Sequence, residues 1–264
     1  MATTSNLEAL PYNPSNVLIN TLAITKILKD YEIDDPPRDI NIYRKAFVHK
    51  SYCTRKNENF LNGNVNCPPD CIPLQEESNE RLEFFGDAIL NMTIADYLFE
   101  RYPDENEGFL TRLRTKLVNG KMLAVLSEKV GLLPFILISK QIEENGGRQN
   151  QNILEDALEA FIAAIYLDFG FEKAKTWIIS VVESQLDFSA LIRHNNNYKD
   201  IFLKCFQQHY NHMPRFLEMP SDNRQYTVCI KDNEGNVLGI GKGSTKKEAE
   251  NDAARQALNQ FKLD

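Results

Sequence analysis

Residues 79–90 read NERLEFFGDAIL, and no other stretch restricts the chain as much. Apolar residues recur there at helical spacing and Ser78 or Asn79 can cap, so the pattern predicts a helix running to about Tyr102. At about 100° per residue, Glu80, Glu83 and Asp87 fall within roughly 60° of one another. Leu90 and Ile94 continue the same stripe, so three acids share a face that prefers burial. Like charges on a half-buried stripe repel and lose hydration, so something positive is expected beside them. An arbitrary acidic helix face is usually only solvated. Gly86 argues otherwise here. A glycine inside a helix is about 1 kcal/mol worse than alanine, and its place directly before Asp87 marks close approach by another element.

The second informative segment is NILEDALEAFIAAIYLD at 152–168. Asp156 and Glu159 are three residues apart and share a helix face. Ala157, Ala160, Ala163 and Ala164 would let a neighbouring helix come near. Packed against the first helix, the two acids could meet Glu83 and Asp87, although spacing alone does not bring the helices together. Glu155, adjacent in sequence, is expected to point elsewhere. Four carboxylates without His or Cys form a hard oxygen donor set suited to Mg²⁺, with Mn²⁺ as substitute, rather than Zn²⁺. Such an ion can hold a scissile phosphate, lower the pKa of an attacking water and stabilise the departing oxygen.

NERLEFFGDAIL resembles the ribonuclease III motif closely. EGFLTRLRTKLVNGKMLAVLSEKVGL and LEDALEAFIAAIYLD resemble the other catalytic segments of that family, in the right order. The resemblance covers roughly 42–188. It implies that Glu83, Asp87, Asp156 and Glu159 are the metal-binding acids, with Asp87 and Glu159 catalytic and Glu159 tied most directly to catalysis. It implies that Glu80 and Glu107 belong to the dimer interface and active-site cleft, and that Phe84 packs into a partner subunit. The expected activity is a homodimeric endonuclease that hydrolyses double-stranded RNA, each site cutting one strand, to staggered ends with 5′-phosphate and 3′-hydroxyl. Residues 57–77, rich in Asn and Pro, are an exposed loop longer than in compact bacterial members.

After HNNN at 194–197 the pattern changes to helix, strands, helix. Residues 199–209 are helical. Tyr226, Val228 and Ile230 alternate as in a half-buried strand, DNEGN supplies a turn, and 237–242 returns as a strand. An Ala-rich amphipathic helix over 246–261 closes the chain. In GKGSTKKEAENDAARQAL, Thr245 and Glu248 form a capping box. Lys246 and Lys247 then oppose the helix dipole beside free backbone N–H groups, a combination that suits phosphate. This portion resembles a double-stranded-RNA-binding domain, and Lys246, Lys247, Lys199 and Gln207 are its expected RNA contacts. Leu203 and Lys204 stand where polar groove-reading side chains are usual, and the 220–224 loop is short and lacks a His tip. Weaker binding than the family norm is expected from it. Tyr198, Phe202 and Phe206, at helical spacing, are expected in the core.

The fold class that follows is mainly α. It comprises an N-terminal extension (1–40, loosely organised, with a helix near 17–31), an all-helical catalytic domain (41–190), a linker (191–197) and a small α-β-β-β-α domain (198–264). A net charge of −7 suits a nucleic-acid binder poorly, but its distribution is uneven. Residues 197–264 hold 10 Lys/Arg and 9 Asp/Glu, leaving 20 basic and 28 acidic residues before them. Carboxylates that hold divalent ions reverse the local field, so charge excludes nothing. No apolar run suits a membrane span; 130–138 is broken by Gly131 and Pro134. The start lacks a secretory pattern, and five scattered cysteines suit a reducing intracellular compartment, cytoplasmic or nuclear. Cys53, Cys67, Cys71 and His49 lack a convincing zinc spacing. Two other readings, a silent duplex-binding protein and a structural subunit of an RNA–protein assembly, would have no need for all four acids.

Overall fold

The computed structural model describes residues 11–54, 67–188, 191, 198–220 and 225–260. The chain divides into two compact units, Met1–Phe188 and Ser189–Asp264.

In the first unit the described elements are helical: α1 (Thr21–Lys29), α2 (Ile40–Ala46), α3 (Glu80–Arg101), α4 (Glu107–Leu117), α5 (Gly120–Val130), α6 (Lys140–Glu144), α7 (Gln151–Phe169) and α8 (Phe171–Gln185). Short polar side chains start most of them. Asn20, Asp39, Asn106, Asn119, Ser139 and Asn150 each accept a backbone N–H from the first turn of the helix they precede. α3 departs from the expected cap. Asn79 occupies the cap position without a capping bond, and its buried amide instead donates to the Ala46 carbonyl at 3.2 Å. That bond ties the start of α3 to the end of α2.

α7 is the centre of the unit. Twelve of its nineteen residues are buried, so it is apolar nearly all round, as a helix wrapped by others must be. α2, α3, α5 and α8 pack against it. Phe161 joins Tyr43, Phe47 and Trp177 in an aromatic cluster with ring centroids 5.4–5.8 Å apart.

Residues 11–40 are not the loose lead-in that their Pro and Asn content suggests. Ile19, Ile24, Leu28 and Ile33 are fully buried, and Tyr31 packs edge-on against Trp177. α1 buries Ile24, Ile27 and Leu28, one face of the helix, in the core that α8 also covers. Cys53, Cys67 and Cys71 are free thiols packed against Tyr12, Val48, Tyr52, Leu74 and Leu137. Residues 1–10, the 57–66 part of the expected loop and linker residues 192–197 lie outside the described residues.

The second unit has α9 (Tyr198–Tyr210), β1 (Arg215–Met219), β2 (Tyr226–Lys231), β3 (Val237–Gly243) and α10 (Lys246–Gln260). The antiparallel sheet runs β1-β2-β3, with Phe216 opposite Ile230 and Ile230 opposite Gly239. Gly239 and Gly241 have no room for a side chain: a Cβ would lie 2.3 Å from the Ala253 carbonyl oxygen and 2.0 Å from the Ala253 nitrogen, respectively. Ala249, Ala253, Ala254 and Ala257 of α10 are fully buried there, and Phe202 and Phe206 complete the core as expected. Val228 and Ile230 point inward, whereas Tyr226 at the strand end is 41% exposed. The capping box forms, with Glu248 N–H donating to Thr245 Oγ1 at 3.2 Å and Thr245 N–H to Glu248 Oε2 at 3.3 Å.

Candidate active site

α3 and α7 touch backbone to backbone at Gly86. A Cβ on Gly86 would lie 1.8 Å from the Glu159 carbonyl oxygen, which no side chain tolerates. This contact fixes the geometry of the acids. Glu83 and Asp87 flank Gly86 on one helix, and Asp156 and Glu159 lie on the other where it crosses.

Three of them, Glu83, Asp156 and Glu159, border an open cleft of about 680 Å³. Glu83, Glu155, Asp156 and Glu159 line it, together with His49, Lys50, Ile142, Asn145, Gly147, Asn150 and Asn152. Asp87 is exposed and accepts from Asn91 Nδ2 at 2.6 Å, and its charge acts on both Glu155 and Glu159. Glu155 does not point away, as its position beside Asp156 suggested. Its Oε2 would lie 2.2 Å from a Cβ on Gly120, so it reaches the first residue of α5, where the helix dipole favours an anion. Gly120 makes the room.

Electrostatics mark the cleft as unusual. Glu159 is 5% exposed. Burial, then the charges of Asp87, Glu155, Glu83 and Asp156, push its carboxyl up to about 8. Burial, then the charges of Glu83 and Glu155, raise Asp156 to about 6 against the opposing charge of Lys50, and Glu155 also moves upward, mainly by burial. Another buried acid on α7 shows the contrast. Asp168 accepts from the Tyr43 hydroxyl and the Arg38 N–H, both at 3.0 Å. The Glu159 environment is made of acids instead. Carboxylates gathered with oxygen donors only are the set that a hard divalent cation neutralises. Among the described residues no three ligating side chains close on one point. The acids are arrayed along the cleft, not wrapped around a centre.

Two cleft residues carried no signal in the sequence. Lys50 Nζ donates to Glu80 Oε1 at 3.0 Å, so Glu80 stands at the cleft edge through this pair. His49 Nδ1 accepts from the Ser51 N–H at 3.2 Å, and burial, then Lys50, pushes its pKa down, so the ring is neutral at pH 7. The pairing of Val48 with Leu137 and the His49 N–H donated to the Leu137 carbonyl at 3.1 Å bring 48–50 beside the segment that follows Leu137, a long-range contact without a sequence period. Phe84 and Glu107 are exposed and do not line the cleft, and Glu107 accepts from the Thr111 hydroxyl at 3.0 Å.

In the second unit Lys246 and Lys247 are exposed at the start of α10, and Lys246 is paired with Glu218 at 3.1 Å. Lys199 pairs with Glu250 at 2.6 Å and lies over the Phe216 ring, while Gln207 is exposed. Most of the 220–224 loop lies outside the described residues.

Residues 39–186 match the family model described as ribonuclease-III-like, and 198–261 match the double-stranded RNA binding motif. Over 257 residues, 95% of this chain, the sequence is 35% identical to a probable ribonuclease 3 of Acanthamoeba polyphaga mimivirus, of whose length it spans 47%. It is 33% identical to a ribonuclease 3 of Listeria monocytogenes, covering 85% of this chain and 92% of that protein. Among solved structures it is similar to a nuclease domain of ribonuclease III from Campylobacter jejuni. There the identity is 36%, the TM-score 0.50, and coverage 63% of this chain and 99% of that one. That structure is described as showing flexibility in a region involved in dimer formation.

Proposed function

The chain belongs to the ribonuclease III family, and from that premise we propose that it is a metal-dependent endonuclease that hydrolyses double-stranded RNA to staggered ends with 5′-phosphate and 3′-hydroxyl. The observation that carries this reading is a buried Glu159 whose neighbours are Glu83, Asp87 and Asp156 rather than donors. These four would hold Mg²⁺, or Mn²⁺ in its place, and a bound ion supplies Lewis acidity toward the phosphate and an acidified water. Asp87 and Glu159 carry the catalytic role, the first exposed, the second buried. At neutral pH burial and the surrounding acids hold the metal-free Glu159 largely protonated, and a bound cation would favour its ionised form. Incubating the full chain with a long RNA duplex and Mg²⁺ and mapping the ends is the test. Staggered ends with 5′-phosphates are expected, and intact duplex would overturn the reading.

Cutting both strands needs two sites, and we place the dimer contact on α3. Phe84, Met92 and Phe99 are 78%, 62% and 71% exposed. With Ala88 and Ala95 they fall within about 80° of arc, a single apolar stripe facing solvent. Phe84→Glu should raise the dimer dissociation constant at least ~30-fold, the effect of losing an anchor of about 2 kcal/mol. Sedimentation at micromolar concentration reads it, and an unmodified chain that is an active monomer contradicts it.

The second unit supplies sequence-independent grip. Lys246 and Lys247 contact phosphates, with Lys246 exchanging Glu218 for the backbone of the duplex. Replacing both by Ala should weaken binding of all duplexes alike and reduce the slope of log affinity against log salt by roughly 1–2. An unchanged slope removes the lysines from the interface.

A further inference from the structure

Ile142, Asn145, Gly147, Asn150 and Asn152 form one stretch of the cleft wall. Little apolar packing holds its first part. α6 buries no residue, and the Gly147–Gln149 turn buries only Gly147. Polar bonds to residues 11–16 fix it instead. Asn13 Nδ2 donates to the Ile138 carbonyl at 3.1 Å and to Glu143 Oε2 at 3.0 Å. Asn16 Nδ2 donates to the same carbonyl at 3.0 Å, and Asn16 Oδ1 accepts from the Ile138 N–H at 3.2 Å and from Arg148 Nη2 at 3.1 Å. Lys140 N–H donates to the Pro11 carbonyl at 3.1 Å.

Arg148 closes the arrangement. Its Nε donates to both Glu143 oxygens, at 3.1 and 2.9 Å, and its Nη1 donates to the Ile136 carbonyl at 2.7 Å. Asn13 and Asn16 are 2% and 8% exposed. Two buried amides 125 and 122 residues from Ile138 in sequence thus hold both ends of α6 through one carbonyl and one ion pair. The same segment is bonded to the stretch that carries His49 and Lys50, because the Ser139 N–H donates to Ser51 Oγ at 3.0 Å and that oxygen meets His49 Nδ1 at 2.8 Å.

We propose that Asn13 and Asn16 are positioning residues, which set the placement of the 138–150 wall and through it the grip on the bound strand. This rests on the endonuclease reading above. Asn145, Asn150 and Asn152 line the cleft with uncharged amides, which suit the sugar–phosphate backbone of a strand lying over the acids. The acids themselves sit on α3 and α7, held by the Gly86 contact, and none belongs to the clasp. Displacing the wall therefore weakens substrate binding in ground and transition state alike, which raises KM and spares kcat.

The test uses the full chain with a long RNA duplex and Mg²⁺. Asn13→Ala combined with Asn16→Ala should raise KM about tenfold, with kcat and the Mg²⁺ concentration for half-maximal rate within twofold of the unmodified chain. Partial unfolding would do the reverse, lowering kcat through the active fraction at constant KM, and that outcome overturns the proposal. Asn13→Asp sets a carboxylate against Glu143 and should reproduce the KM defect. Hydrogen exchange gives a readout independent of activity: amides of 139–149 should exchange faster in the double Ala variant while those of α3 and α7 do not. If the unmodified chain leaves duplex intact, the endonuclease reading falls and the catalytic meaning of the clasp falls with it. If it cuts and the variants keep its KM, only the clasp falls.

Discussion

Glu159→Gln is expected to abolish duplex cleavage and, at the same time, to stabilise the metal-free protein at pH 8. The first effect follows from removing a charged ligand while keeping size: a loss of at least ~10³-fold corresponds to about 4 kcal/mol of transition-state stabilisation. The second follows from linkage. A free glutamate ionises near 4.5, whereas Glu159 in the fold ionises near 8. Between those values the folded chain binds a proton that the unfolded chain has lost, so the stability of the metal-free chain falls as pH rises through that window. Glutamine carries no charge at any pH and escapes a penalty on the order of 2–4 kcal/mol at pH 8, while at pH 4 the two proteins should be nearly equal. Denaturation curves at both pH values read the difference. A variant that still cuts, or that is less stable than the parent at pH 8, contradicts the role given to Glu159.

Gly86→Ala should be among the most damaging single substitutions in the chain. Helix propensity alone predicts a gain of about 1 kcal/mol. Packing opposes it, because the new Cβ would sit 1.8 Å from the Glu159 carbonyl oxygen and 2.5 Å from its carbon. Both atoms are backbone of the central helix, so the clash is relieved only by parting α3 from α7. That would open the contacts around Leu82, Ile89, Leu90 and Ile94, all buried on α3. Overpacking of this kind commonly costs 1–3 kcal/mol, and backbone against backbone belongs at or beyond the upper end, about 3 kcal/mol or more net. Cleavage should be lost as well, since the acids no longer meet. Wild-type stability in urea would show that the helices do not touch there.

Helical period makes much of this site legible in the sequence. The face shared by Glu83 and Asp87, that of Asp156 and Glu159, and the meaning of Gly86 all follow from residues a turn apart, where 100° steps dictate neighbours. The fold class was legible for the same reason. Glu155 escaped because a one-residue offset says which way Cβ leaves the helix, not where a flexible carboxylate ends, and only Gly120 on another helix gives it somewhere to go. Asn13 and Asn16 escaped because a Pro- and Asn-rich stretch carries no period. Their bonds reach Ile138 and Glu143, and composition cannot distinguish a loose loop from one buried by such bonds. The first strand, Arg215–Met219, alternates weakly, with only Phe216 partly covered.

The central claim is that the crossing of α3 and α7 gathers acids that a divalent cation completes. Calorimetric titration of the metal-free full chain with Mn²⁺ at pH 7, repeated in two buffers of different ionisation enthalpy, counts the protons released per ion bound. Glu159 is still largely protonated at that pH, being raised to about 8, so binding should release about one proton per site. In Glu159→Gln the release should fall well below that. Binding without proton release, or release unchanged by the substitution, would contradict the account.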